Sequence, residues 1–208
     1  MMTNTTIAAL ALLAFLSTTA GHAQDRSGPA ANIADCVWDH VADSDKTMFL
    51  AHYTGRGGLR ERMNRATAGL GPRDAALQAA YAECDATPGV PKPWRTALIG
   101  SRAIQYGAAH RLMETRRLSR DALDALWDDA PPATRECFMA NAAKVFGPSP
   151  KSCSDPKAST WFADALSLSL QKAEDRDAIA ELLIFMNAKA QEDWAVTLIG
   201  EYHRRNPA

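Results

Sequence analysis

The sequence predicts an all-α fold, a multi-helix bundle stapled by disulfides, and three observations carry that reading. Ala, Leu, Met, Arg, Glu and Gln, which cost little in a helix, dominate beyond residue 31. Apolar residues recur at spacings of three and four, and β-branched residues almost never alternate with polar ones as a half-buried strand requires. Cys36, Cys84, Cys137 and Cys153 all lie downstream of an N-terminal apolar run.

The helices follow in order. Ile33, Val37 and Val41 make one apolar stripe with Cys36 beside it. Asp43 or Ser44 is suited to cap a second helix through Met48, Phe49 and His52, which stops at Gly55-Arg56-Gly57-Gly58. Leu59, Met63 and Ala66 give a third, ending at Gly69 and Gly71. Pro72 suits the first turn of a fourth, because its missing N–H costs nothing there, and this helix turns Leu77, Ala80, Tyr81 and Cys84 inward. Thr87 to Pro93 holds three prolines and a glycine and predicts an extended connection.

The longest uninterrupted helix is expected from about Trp94 to Arg117, with Trp94, Leu98, Ser101, Gln105, Ala108 and Leu112 near one face. Ser119 caps the next, which carries Leu123, Leu126 and Trp127. Pro131-Pro132 end it and start another through Cys137, Phe138, Asn141 and Val145. Gly147 to Ser154 reads as a loop; Asp155-Pro156 is a cap followed by proline at the first helical position, opening a helix that buries Trp161, Phe162, Ala165, Leu166 and Leu170. Two further helices are expected, one from Asp175 through Met186 and one from about Gln191 to Arg205. Arg204 and Arg205 fall where the dipole favours positive charge.

A pattern of two related halves runs through these elements. Trp94-x-x-x-Leu98-Ile99-Gly100 recurs as Trp194-x-x-x-Leu198-Ile199-Gly200, Cys36 is echoed by Cys137, and Arg73-Asp74-Ala75 by Arg176-Asp177-Ala178. The alternative is likeness of composition among Ala-rich amphipathic helices; Cys84 has no counterpart near position 185.

The first residues address the compartment. Ile7 to Leu16 is an unbroken apolar run followed by small residues and then Gln24-Asp25-Arg26, the pattern of a secretory signal. Gly21 and Ala23 place cleavage after Ala23, with Ala20 the near alternative. A ten-residue run rises only about 15 Å as a helix, too short to cross the hydrocarbon core. The expected organisation is a signal peptide over 1–23, a flexible polar linker over 24–31 and one helical domain over 32–208, with no membrane span once the signal is removed. The protein is then periplasmic or secreted. An even number of cysteines there implies disulfides, with three connectivities open. Cys36–Cys84 with Cys137–Cys153, which joins neighbours in sequence, is preferred. There is no C-x-x-C or H-x-x-x-H, so no metal and no cofactor is expected.

Twenty-three basic and 24 acidic residues leave a net charge of −1, without the basic excess of a nucleic-acid binder. None of His40, His52, His110 and His203 lies three or four residues from another. The turn at Gly55–Gly58 is the one segment suited to hold an anion, through backbone amides together with His52, Arg56 and Arg60, although it lacks the Gly-Lys-Ser/Thr of a phosphate loop. Nucleophile motifs are absent, and carboxylates such as Asp124, Asp128 and Asp129 sit on polar faces. Ser101, Gln105 and Asn141 interrupt apolar stripes and point to buried hydrogen bonds or a lined groove. The expectation is a non-enzymatic exported protein that binds a protein or peptide partner in the envelope. The alternative is an exported hydrolase of envelope glycan or peptide with a carboxylate site.

Overall fold

The computed structural model describes residues 29–70, 74–85, 89–144 and 155–207. The expected signal peptide, Pro72, the 147–154 loop and Cys153 lie outside the described residues. The fold is all-α, and the described residues contain no strand. The helices are α1 (Pro29–His40), α2 (Asp43–Thr54), α3 (Leu59–Leu70), α4 (Asp74–Cys84), α5 (Lys92–Arg116), α6 (Arg120–Asp128), α7 (Pro132–Ala143), α8 (Pro156–Ala165) and α9 (Ala173–Arg205).

Local chemistry explains most boundaries. Ser119 accepts the Ala122 N–H at 3.2 Å to start α6, and Asp155 accepts the Lys157 N–H at 2.9 Å to start α8 with Pro156 behind it. Pro93 and Pro132 lie in the first turns of α5 and α7, where no N–H is needed. α5 stops because Arg117 adopts a left-handed backbone (φ 59°), which lets Arg117 and Leu118 N–H close on the carbonyls of Met113 and Leu112. Four boundaries differ from expectation. α8 ends at Ala165, which is exposed, so Leu170, expected to be buried on this helix, lies beyond it and is 55% exposed. α1 begins at Pro29, inside the expected linker. α2 begins on Ala42 without a side-chain cap, since the Ser44 hydroxyl turns to Asp45 at 3.1 Å. The two helices expected at the C-terminus are one helix of 33 residues. Nothing in Asn187-Ala188-Lys189-Ala190 can stop a helix; the Asn187 amide donates back to the Leu183 carbonyl at 2.7 Å and stays within it.

α5 and α9 form an antiparallel spine. Trp94 packs on Tyr202, Arg102 faces Glu192, Arg111 faces Glu181 and Arg116 faces Asp175, so one chain ascends as the other descends. The other helices lie around this pair: α1 against α4, α5 and α9, α2 against α3 and α5, α6 against α5, and α7 and α8 against α9. The apolar interior divides in two. One cluster, centred on Phe49, Tyr53, Leu112, Trp127, Phe162, Leu182 and Phe185, fills the middle. The other, with Ile33, Val37, Tyr81, Leu98 and Ile199, lies where α1 and α4 meet the start of α5 and the end of α9. The two Trp-x-x-x-Leu-Ile-Gly segments both touch this second cluster, but one opens α5 and the other lies deep in α9.

A disulfide joins Cys36 of α1 to Cys84 of α4, as expected. Cys137 is disulfide-bonded too.

Candidate functional site

Between the two apolar clusters the α5–α9 seam turns polar. On α9, Asp175, Ala178, Leu182, Phe185, Lys189, Glu192, Val196, Ile199 and His203 succeed each other at alternating spacings of three and four, the pattern of residues facing a partner helix. Lys189 and Glu192 therefore enter the interior by their position, and both are buried. A charge so placed must find a partner, since its desolvation otherwise costs several kcal/mol.

The partners form one chain across four helices. Asp35 of α1 meets Arg102 of α5 at 2.6 Å, and Arg102 Nε faces Glu192 of α9 at 3.3 Å. The Gln105 amide donates to Glu192 at 2.8 Å and accepts from Arg120 at 3.4 Å. Arg120 reaches Asp124 at 3.4 Å, and Asp124 reaches Lys189 at 2.7 Å. Ser101 adds a contact to Gln191 at 3.5 Å. Burial pushes the Glu192 carboxyl up to about 7; Lys189, Arg120 and the Gln105 hydrogen bond pull it down while neighbouring Asp193 adds to the rise. Asp35 is also raised, first by burial and then by Asp39 and Asp124, with Arg120 and Lys189 opposing.

Further along the seam, Glu181 accepts the Tyr53 hydroxyl at 2.9 Å, Arg62 at 2.6 Å and Arg111 at 3.2 Å. Arg62 also donates to the Tyr53 carbonyl at 2.8 Å, so this cluster ties α2 and α3 to the spine. Burial and then Glu181 raise the Tyr53 phenol well above its ordinary range. At the other end, Asp85 accepts the Tyr81 hydroxyl at 2.9 Å and meets His203 Nε2 at 3.0 Å. Beside it, His40 Nδ1 lies 3.9 Å from Cys36 Sγ and 3.7 Å from Cys84 Sγ.

The residues expected to hold an anion are spread over one turn. His52 is half-buried on α2, while Arg56 and Arg60 are exposed. The turn closes on α3: Arg65 donates to the Arg56 carbonyl and pairs with Glu61 at 2.6 Å. Gly57 has a positive φ of 112°, and a Cβ there would stand 2.5 Å from a Glu61 carboxylate oxygen, so that carboxylate lies against the turn.

Ser101 and Gln105, singled out in the sequence as polar breaks in an apolar stripe, are buried and bond across to α9. Asn141 is only half-buried and meets Lys144 at 3.4 Å. Asp124, read as part of a polar face, is half-buried and a member of the four-helix network. Arg102, Lys189 and Glu192 were not legible as a site; for Lys189 and Glu192 the signal was their place in the three-and-four pattern of α9, while Arg102 stands opposite them on α5. Cys36-x-x-x-His40 was missed as well, and its helical i, i+4 spacing was the signal. No protein-family model, curated protein or solved structure matches this chain.

Proposed function

We propose that this chain is an exported, non-enzymatic binding protein whose partner is a basic segment of another envelope protein or peptide. The observation that carries this reading is the outer rim of the four-helix network: Glu192 and the cations Arg102 and Lys189 lie inside, and Asp35 stands outside them. The Arg102 and Lys189 side chains are 5% and 8% exposed, whereas that of Asp35 is 66% exposed. Asp39 stands one turn from Asp35 on α1, and Asp121 and Asp128 lie on either side of Asp124 on α6, all three exposed. Carboxylates held on rigid helices with their counter-charges behind them suit Lys- or Arg-rich chains, and such complementarity sets on-rate and specificity. The exposed large apolar side chains among the described residues, Met113 and Leu170, lie on separate elements, which favours polar over apolar docking.

Export rests on the Ile7–Leu16 run and on the disulfide, a bond that persists in oxidising compartments. Among the described residues no helix is long and apolar enough to cross a membrane. We assign the protein to the periplasm.

The test uses the mature tagged protein as bait in an envelope extract of its own host. One stoichiometric basic partner should be retained at low salt, released near about 0.5 M salt, and lost by the surface variant Asp39→Lys/Asp121→Lys/Asp128→Lys. Equal capture by that variant, or a bare bait, would sink the reading.

One observation favours a hydrolase instead. Glu192, with its carboxyl near 7, and Asp35 share the Arg102 guanidinium but differ in exposure, 6% against 66%, and carboxyl groups in such unlike surroundings divide acid and base roles in glycoside cleavage. Release of reducing ends from envelope glycan by the wild type and not by Glu192→Gln supports it; matched rates discard it.

A further inference from the structure

The end of α1 and the end of α4 bring two sulfurs and an imidazole to one point. Cys36 and His40 stand one turn apart on α1, so their side chains share a face, and Cys84 closes α4 opposite them. Their three donor atoms all lie within 4.8 Å of one another. In the disulfide form the sulfurs are spent on each other. Once the bond is open, two thiols and a ring nitrogen face a common centre.

We propose that, when the Cys36–Cys84 disulfide is reduced, Cys36, Cys84 and His40 Nδ1 bind a thiophilic divalent metal such as zinc, with Glu83 orienting the imidazole. The distances fit before any rearrangement of the ring. Zinc–sulfur and zinc–nitrogen bonds of about 2.3 and 2.0–2.1 Å at a tetrahedral angle hold sulfur and nitrogen roughly 3.5 Å apart. His40 Nδ1 is 3.9 and 3.7 Å from the two sulfurs. Cα atoms 5.9 Å apart leave room for the sulfurs to separate without moving either helix far.

The other ring nitrogen supplies a second, independent mark. His40 Nε2 faces the Glu83 carboxylate at 3.3 Å. A carboxylate on the far nitrogen of a ligating histidine fixes the tautomer that turns a lone pair to the metal. In the disulfide form Nδ1 instead meets the Cys36 carbonyl at 2.8 Å, and this hydrogen bond is given up on metal binding. Two thiolates and one neutral imidazole balance a divalent cation. They leave a fourth position open to water, because His40 is only half covered.

The chemistry balances with a dithiol as reductant. Its thiolate attacks one sulfur of the disulfide, its second thiol resolves the mixed disulfide, and it leaves oxidised, having delivered two electrons and two protons. The metal then displaces both thiol protons, while the imidazole stays neutral by holding its proton on Nε2, toward Glu83, instead of on Nδ1. A disulfide oxidant that withdraws two electrons from the thiolates re-forms the Cys36–Cys84 bond and expels the ion.

The experiment titrates the mature chain with Co(II), then displaces it with Zn(II), before and after reduction by a phosphine. Reduced protein should show the ultraviolet thiolate-to-cobalt band and strong visible bands of a tetrahedral site at one equivalent, and oxidised protein should not. Cys137→Ser/Cys153→Ser should keep this site and Cys36→Ser/Cys84→Ser should lose it. His40→Ala and Glu83→Gln should weaken binding by about tenfold or more. Equal binding by oxidised protein, undiminished binding by Cys36→Ser/Cys84→Ser, or full affinity in His40→Ala overturns the proposal. Should reduction unfold the chain, far-ultraviolet circular dichroism takes over: Zn(II) must then restore the helical signal, and no recovery overturns the proposal equally.

Discussion

The Tyr53 hydroxyl donates a 2.9 Å hydrogen bond to the Glu181 carboxylate across 128 positions of sequence, and both groups are buried. Two guanidiniums, Arg62 and Arg111, converge on the same carboxylate. This cluster stands where α2, α3, α5 and α9 meet, so it fixes the α2–α3 hairpin against the spine.

Removing the shared acceptor strands the cations around it. Glu181→Ala should destabilise by about 3–5 kcal/mol, the cost of breaking a buried ion pair from one side. Glu181→Leu combined with Arg62→Met and Tyr53→Phe should recover most of that loss, because the charges are removed together. Urea midpoints of both variants check this; an equal loss in the two would show that the cluster is worth its net attraction and not its mutual neutralisation.

Gly107 sets the distance between α5 and α2. A Cβ there would meet three atoms of the Tyr53 ring at 2.7–2.9 Å, and that ring is fully buried. Alanine gains up to about 1 kcal/mol of helix propensity over glycine, whereas overpacking costs about 1–3 kcal/mol. With the ring fixed between Glu181 and Phe49, overpacking wins, and Gly107→Ala should lower the melting temperature. A rise would mean that the ring has room to move.

Glu192 links stability to pH with a definite sign. Its folded pKa of about 7 lies above the ordinary carboxyl value of 4.5, so between them the native state holds the proton more tightly than the unfolded chain. The contribution of this group is therefore full below pH 4.5, falls as pH rises toward 7, and is level beyond. The total is on the order of 3 kcal/mol. Relative to wild type, Glu192→Gln should gain stability across that window, measured by urea unfolding at pH 4.5, 6 and 8. A difference independent of pH would mean that Glu192 stays ionised.

The Cys36–Cys84 bond joins residues 48 positions apart in sequence. Its loss in Cys36→Ser/Cys84→Ser should cost about 4 kcal/mol on the chain-entropy estimate. Unfolding of oxidised wild type beside the variant tests this, and a loss below 1 kcal/mol would mean that α1 and α4 are held by packing alone.

Much of the secondary structure was legible because its causes are local. Ser119 and Asp155 cap the helices they were expected to cap, since a side-chain oxygen needs only the next two or three N–H groups. Pro132 and Pro156 open helices for an equally local reason. The exceptions are instructive. Asp43 and Ser44 have the right chemistry but lie inside α2. α9 runs through a stretch where the apolar stripe changes face, which reads as a break only if every inward position is taken to be apolar. Lys189 and Glu192 are inward and charged.

The sequence alone therefore determined the helical class, the places where helices begin and end through caps and prolines, and a cysteine set suited to an oxidising compartment. All of these depend on interactions within a few residues, or on composition. Only the tertiary structure decided which charges are buried. Arg102, Glu192, Lys189 and Asp35 come from three helices, and what makes them a network is the antiparallel register of α5 on α9 and the seat of α1 beside it. Neighbourhood of that kind is set by packing across many positions. A carboxylate on a solvated face and one pressed against a guanidinium are written with the same letter, and their difference in hydration appears only when the helices meet.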